Sequence, residues 1–152
     1  MRRKEKEIKD RTEIEAIINT SQVCRVAMSK NDQPYLVPLS FGFDGSAVYV
    51  HTAREGKKIE FFEANQRVCV EFESHVQIRP DDKQACKWSV AYESVIGDGT
   101  LQELTEPRDI QYGLNQIMRH YSGKDWDIDP RAAGKTRVWK IVLVSLSGKR
   151  SV

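Results

Sequence analysis

Cysteine is scarce in this sequence of 152 residues: Cys24, Cys69 and Cys86 are widely spaced, and no C-x-x-C pair occurs. An odd number of separated cysteines does not fit a disulfide framework and is typical of a reducing compartment. His75 and His120 also lack a cysteine or carboxylate at metal-ligand spacing. We therefore expect a cytoplasmic protein without a metal site.

Long apolar runs and an excess of one charge sign are also missing. No apolar run approaches the roughly 20 residues of a transmembrane helix. The 24 basic and 22 acidic residues leave a net charge of only +2, which is too close to balance for a general affinity for nucleic acid. Glu5 and Glu7 interrupt the basic start, so residues 1–11 are predicted to form a flexible arm. We expect neither a membrane nor a nucleic acid as a partner.

The length suits a single domain over residues 1–152, able to bury roughly 70% of its unfolded surface. Six segments are rich in β-branched and aromatic residues, and the first three are separated by short turns, which favours antiparallel neighbours. Gly97 and Gly99 predict a bulge in the fifth segment. The segments are VCRVAMSK from Val23, YLVPLSFGF from Tyr35, AVYVHTA from Ala47, RVCVEFES from Arg67, AYESVIGDGTLQEL from Ala91 and RVWKIVLVSLSGK from Arg137.

Three helices are predicted beside these strands. A capping box at Thr12 and Glu15 starts a short helix that ends near Asn19. EGKKIEFFEANQ, from Glu55, is the second candidate, and Pro107 opens a third that ends at Gly123. Apolar residues at helical spacing in the third are interpreted as core: Ile110, Leu114, Ile117, Met118 and Tyr121. The pattern indicates a mainly β protein, a six-stranded antiparallel barrel with flanking helices.

The strand from Tyr35 has one bulky and one shallow face. Leu36, Pro38, Ser40 and Gly42 share the shallow face. An edge strand explains this pattern, because proline cannot donate to a sheet ladder and glycine packs little. A surface on which a flat ligand lies close to the backbone also explains it.

The stretch YVHTAREGKKIEFF, from Tyr49, places a glycine and two lysines where a helix should begin. The free N–H groups of such a helix, the charges of Lys57 and Lys58 and the Thr52 hydroxyl would together hold a phosphate. A solvated helix start is the alternative, and the sequence has no P-loop. His51 precedes Thr52 but alternation turns it the other way, and a lone histidine is more often structural than catalytic.

Taken in order, three segments resemble the pyridoxamine 5'-phosphate oxidase-like flavoproteins, in the branch related to nitroimidazole-resistance proteins. The resemblance implies an FMN-binding split barrel that forms a homodimer, with FMN at the subunit interface. It covers about residues 21–148. The segments are VPLSFGFDGSAVYVHTAREGKKIEFFEANQRVCVEFE, ACKWSVAYESVIGDGTLQEL and RHYSGKDW.

The resemblance also implies site residues. It places the phosphate anchor at Thr52, Lys57 and Lys58, with His51 beside it as a cofactor-binding and candidate catalytic residue. The remaining cofactor-binding positions, the last three of them contributed in part from the second subunit, are Pro38, Leu39, Ser40, Phe41, Tyr92, Ser94 and Val95. Glu93 stands where many relatives have arginine, so a contact there should differ.

The implied function is an FMN-dependent oxidoreductase acting on a small aromatic or nitro compound. The substrate segment of true pyridoxamine 5'-phosphate oxidases, with its arginine and histidine, is absent, so oxidation of vitamin B6 is not expected. A non-catalytic flavin- or haem-binding protein of the same fold is the alternative, with His51 or His120 as the haem ligand.

Overall fold

The computed structural model describes residues 3–151 as eight strands and four helices. The strands are β1 Glu7–Ile8, β2 Cys24–Lys30, β3 Gln33–Leu39, β4 Phe41–Phe43, β5 Ala47–Thr52, β6 Arg67–Arg79, β7 Ser89–Leu104 and β8 Arg137–Ser151. The helices are α1 Arg11–Thr20, α2 Lys57–Ala64, α3 Pro107–Ser122 and α4 Pro130–Ala133. No helix in these residues is long and apolar enough to cross a membrane.

All strand pairs are antiparallel, in the order β3-β2-β6-β7-β8-β5-β4, and β1 pairs with β8. The prediction of a mainly β antiparallel fold with flanking helices is confirmed. Eight strands are present where six were predicted, because Ser40 divides one predicted strand into β3 and β4 and because β1 was not predicted. These two strands form opposite ends of the sheet order, although Ser40 alone separates them in the chain.

The core fills the inside of the curved sheet and is covered by α1 and α2. Helix α1 buries Ile17 and Ile18, and helix α2 buries Phe61 and Phe62. Phe62 packs edge-on against Trp139 of β8, with the ring centroids 5.1 Å apart. These contacts explain why two short amphipathic helices are stable here, since packing supplies most of the stability of short helices.

The start of the chain differs from the sequence prediction in two ways. The cap of α1 is Asp10, whose carboxylate accepts from the N–H groups of Thr12 and Glu13, so the predicted Thr12 capping box is wrong. The predicted flexible arm contains β1, which pairs with β8 and buries Ile8. Burial of the Ile8 side chain stabilises the pairing of this otherwise charged segment with β8. Residues 1 and 2 of the arm lie outside the described part.

A bulge is present beside Asp98 and Gly99, but it lies in β8 and not in the fifth segment, where it was predicted. Ser145 pairs with Asp98 and Leu143 pairs with Gly99, so β8 carries one extra residue at this point. A Cβ at residue 99 would lie 2.6 Å from a side-chain carbon of Ile141, which explains the need for glycine.

Helix α3 ends as predicted, at Gly123 with a φ of +73°. Its apolar stripe is less buried than predicted. Ile117 is in the core, whereas Leu114 and Met118 are half-buried and Tyr121 is exposed. The interpretation of the whole stripe as core was therefore wrong, because α3 covers the sheet with only one edge of that stripe.

Candidate functional site

The candidate site begins at the N-terminus of α2. Gly56 caps this helix with a φ of +121°, a left-handed conformation that favours glycine. Its carbonyl oxygen accepts from the N–H groups of Ile59 and Glu60. The N–H groups of Lys57 and Lys58 precede these bonds at the positive end of the helix. The predicted helix start is thus present.

The two lysines lie on different sides of this helix start. The Lys57 ammonium lies 4.6 Å from the ring centroid of Tyr35 in β3. Lys58 is half-buried, and this burial lowers the pKa of its ammonium. An anion bound at the helix start would offset the cost of burying the positive charge of Lys58.

Thr52 lies close in sequence but its side chain points into the protein. It is 4% exposed, and its hydroxyl accepts from the Trp139 indole N–H at 3.0 Å and donates to the Ala53 carbonyl oxygen at 2.8 Å. This hydroxyl therefore stabilises the junction of β5 and β8. A phosphate contact by Thr52 stays a prediction.

His51 points to the opposite side of β5, as the alternation predicts, and is exposed. Partial burial of the imidazole and the nearby charge of Lys58 lower its pKa. The imidazole is therefore neutral at pH 7 and can accept or donate a hydrogen bond.

The residues of the predicted flavin-lining strand divide between two environments. Pro38 and Ser40 are exposed, whereas Leu39 and Phe41 are buried. Because β3 is at an end of the sheet, the edge-strand explanation of its prolines holds. An open, shallow surface is also present on its outer side, where Leu36 remains 55% exposed.

Gly42 serves packing. A Cβ at this position would lie 2.2 Å from the backbone carbonyl carbon of Gln116, because α3 crosses β4 there. Its interpretation as part of a shallow ligand surface is therefore wrong.

The predicted site residues of β7 also divide. Tyr92 and Ser94 are half-buried, and Val95 is fully buried in the core, so we assign no cofactor contact to the Val95 side chain. Glu93 lies opposite Arg150 of β8 and accepts from its Nε and from His75 Nδ1. Glu93 thus forms an ion pair with Arg150 of the neighbouring strand.

The sequence interpretation missed an apolar pocket of about 360 Å³ beside His51. The sequence contained a signal for this pocket. Trp126 and Ile128 follow α3 closely, and α3 carries more apolar residues than it buries against the sheet. The pocket lies between α3, α4 and the segment that joins them, and its walls include Leu114, Met118, Trp126 and Ile128.

Comparison with known proteins supports the resemblance seen in the sequence. The profile of the pyridoxamine 5'-phosphate oxidase family matches residues 10–150. The chain belongs to this family. An uncharacterized protein of Rhizobium meliloti (strain 1021) is 26% identical over 97 residues, which are 64% of this chain and 56% of that protein. The match thus spans little more than half of that relative's length.

Two solved structures are similar to this family member over most of its length. A candidate 5-nitroimidazole antibiotic resistance protein from Bacteroides thetaiotaomicron is 30% identical, with a TM-score of 0.83 over 95% of this chain and 86% of that one. The FAD and haem binding protein from Mycobacterium smegmatis has a TM-score of 0.83 at 14% identity, covering 96% of this chain and 73% of that one. The second likeness shows the fold alone.

Proposed function

We propose that the chain binds the FMN moiety of a flavin, with the phosphate at the N-terminus of α2. The observation that carries this proposal is the half-buried Lys58 beside a Gly56-capped helix start. The helix dipole and a charge-assisted hydrogen bond both favour an anion there. Membership of the pyridoxamine 5'-phosphate oxidase family supports the same assignment.

The isoalloxazine ring is proposed to lie along the outer side of β3, where Pro38 and Ser40 leave the backbone accessible. When bound, the flavin supplies the redox chemistry. The protein positions the flavin, because β3 holds its ring and the start of α2 holds its phosphate. We propose an FMN-dependent oxidoreductase acting on a small aromatic or nitro compound, which the likeness to the 5-nitroimidazole resistance protein supports.

A homodimer is proposed because an apolar surface extends beyond the barrel. Residues 75–90, the β6–β7 arm, are exposed except for a half-exposed Asp81. Ile78 and Val90 lie opposite each other on this arm and are 69% and 45% exposed. Covering them by a second copy would remove an unfavourable contact with water. One of the two strands of the arm, β7, also carries Tyr92 and Ser94.

Haem binding receives less support. His120 Nε2 is hydrogen-bonded to the Ser21 carbonyl oxygen at 2.9 Å, and its ring packs 4.2 Å from that of Phe41. These contacts employ the imidazole in joining α3 to α1 and β4. The absorbance spectrum of the purified protein distinguishes the cofactors, since haem gives a strong Soret band and a flavin gives two weaker bands.

Titration with FMN and riboflavin tests the phosphate anchor. Lys57→Ala/Lys58→Ala should weaken FMN by about 1.5–3 kcal/mol for each charge-assisted contact that is lost. Riboflavin, which has no phosphate, should bind the variant as it binds the wild type. Lys4→Ala/Lys9→Ala removes two exposed lysines elsewhere and serves as the control. Equal losses for both ligands would show that Lys57 and Lys58 do not act through the phosphate, and no loss for either would show that they only face solvent.

A further inference from the structure

A polar groove lies between helices α1 and α3 and is bordered by the β4–β5 turn at residues 44–45. The volume of this α1–α3 groove is about 500 Å³, within the range of about 300–1,000 Å³ that is typical of small-molecule sites. The residues assigned to the flavin are all described by the structure, and the groove shares none of them. Its principal walls are Glu15 and Asn19 of α1, Tyr112, Gln116 and His120 of α3, and Phe43 of β4.

Gln116 gives the groove a buried polar group. The residue is only 5% exposed, and its carboxamide forms no hydrogen bond with any of residues 3–151. Its backbone lies against Gly42, where α3 crosses β4. No fully enclosed side-chain nitrogen or oxygen in these residues lacks a partner, so the carboxamide atoms keep some access to solvent, and the groove that Gln116 lines provides it. Gln116 thus offers an acceptor and two N–H donors to the groove.

The charged side chains of the groove are already compensated. The Glu15 carboxylate accepts from Arg11 Nε at 2.7 Å. Arg119, at the edge of the groove, donates through two nitrogens to the Asp125 carboxylate. The Asp44 carboxylate accepts from two backbone N–H groups and three hydroxyl groups. An ionic ligand would have to displace one of these strong interactions, so the groove suits an uncharged ligand.

The other groups of the groove are neutral. Asn19 is exposed and adds a second carboxamide. His120 Nε2 donates to the Ser21 carbonyl oxygen at 2.9 Å, which leaves Nδ1 of the neutral imidazole as an acceptor. Tyr112 adds a ring that is 46% exposed and packs edge-on against Tyr49, with the centroids 5.6 Å apart. Carboxamides beside an exposed aromatic ring can recognise a planar molecule by its polar edge and its face.

We infer that the α1–α3 groove binds a nucleoside whose base carries an amino group beside a ring nitrogen, as in adenosine and cytidine. The Gln116 carboxamide would pair with this edge, and the face of the base would lie against Tyr112. The pairing is favoured because a carboxamide and such an edge each present a donor and an acceptor side by side. The bound base would also give the buried Gln116 the partners that it lacks. This inference goes beyond the proposed flavin site and does not depend on it.

Calorimetric titration of the full chain with adenosine and cytidine, in excess FMN to occupy the flavin site, tests the inference. At least one of them should bind with a dissociation constant of about 1 mM or below. Its form with a dimethylated amino group lacks the donor and should bind at least about fivefold more weakly. Adenosine monophosphate should bind no more tightly than adenosine. Tighter binding of the monophosphate would assign the groove to an anion and overturn the inference.

Gln116→Met removes the donor and the acceptor at similar volume and should weaken the nucleoside about 5- to 150-fold. Gln111→Met changes a glutamine of the same helix outside the groove and is the matched control. If Gln116→Met does not fold, Asn19→Ala, at an exposed residue, should still weaken the nucleoside about 2- to 12-fold.

Three results would overturn the nucleoside site. They are no binding of either nucleoside, equal affinity for the dimethylated form, and wild-type affinity in folded Gln116→Met, or in Asn19→Ala where Gln116→Met does not fold. The affinity for FMN should be the same in all these variants as in the wild type. Failure of FMN to bind would count against the proposed flavin site alone.

Discussion

The indole N–H of Trp139 donates to the Thr52 hydroxyl at 3.0 Å, and both side chains are 4% exposed. This bond links adjacent strands β5 and β8 below the start of α2. The Thr52 hydroxyl therefore has a structural role. A contact between Thr52 and a phosphate would be a second, separate role. The two roles can be separated by experiment.

Thr52→Val should lower the free energy of unfolding by about 1–3 kcal/mol, because the buried indole N–H of Trp139 loses its acceptor. Thr52→Ser keeps the hydroxyl and should be much less destabilising. Urea denaturation followed by tryptophan fluorescence measures both variants. If Thr52→Val were as stable as the wild type but lost FMN affinity, the hydroxyl would be assigned to the ligand instead.

Gly42→Ala should destabilise the fold by about 1–3 kcal/mol or more, since the added methyl group would overlap the backbone of α3 at Gln116. The control is Gly134→Ala, whose Cβ would come no closer than 3.4 Å to another atom. Thermal melts of the two variants compare them directly. Similar melting temperatures for both would contradict the close crossing of α3 over β4.

The environment of Asp44 predicts that part of the stability of the fold is lost in acid. Burial acts to raise the pKa of its carboxyl, but hydrogen bonds from Ser46, Tyr49 and Ala47 outweigh it and lower the pKa from 3.8 to about 2. The folded-state pKa is below the unfolded value, so this contribution is present above pH 3.8 and is lost as the pH falls towards 2.

Denaturation of Asp44→Asn and the wild type at pH 6 and pH 2.5 measures this contribution. The difference in unfolding free energy between the two proteins should shrink at the lower pH. Asp82→Asn, at an exposed residue, controls for the general effect of acid. A difference that stays constant with pH would show that the Asp44 carboxyl contributes no pH-dependent stability.

Ile78→Asp should convert the proposed homodimer into a monomer, because it places a charge in the apolar surface of the β6–β7 arm. Light scattering should report about twice the 17.5 kDa chain mass for the wild type and a single chain for the variant. Val144→Asp changes a 73% exposed apolar residue of β8 outside the arm and should leave the dimer intact. A monomeric wild type that still binds FMN tightly would remove the dimer from the proposal.

His51→Ala separates a catalytic from a binding role of this imidazole. If His51 protonates or orients a substrate, turnover of a nitroaromatic per bound flavin should fall by about 10²–10⁴-fold. If it only contacts the cofactor, flavin retention should fall while turnover per bound flavin stays constant. The measurement must therefore be normalised to bound flavin.

Much of the fold was predictable from local patterns. Alternating apolar residues and short turns identified the principal strands, and Pro107 and Gly123 marked both ends of α3, because these signals act within a few residues. The start of α2 at Gly56 was equally readable. Asp10 was overlooked as the cap of α1, since Thr12 offers a competing local signal and only the backbone conformation decides between them.

The sequence by itself thus determined the class of fold, the family and the position of a cationic helix start. Tertiary structure alone decided which faces are free, because burial depends on elements far apart in the chain. The indole N–H of Trp139 donates to the Thr52 hydroxyl, and the close crossing of α3 leaves room only for glycine at residue 42. Val95 lies inside the core. The pocket beside His51 likewise exists only because α3, α4 and the end of β5 meet there, a juxtaposition that no local spacing encodes.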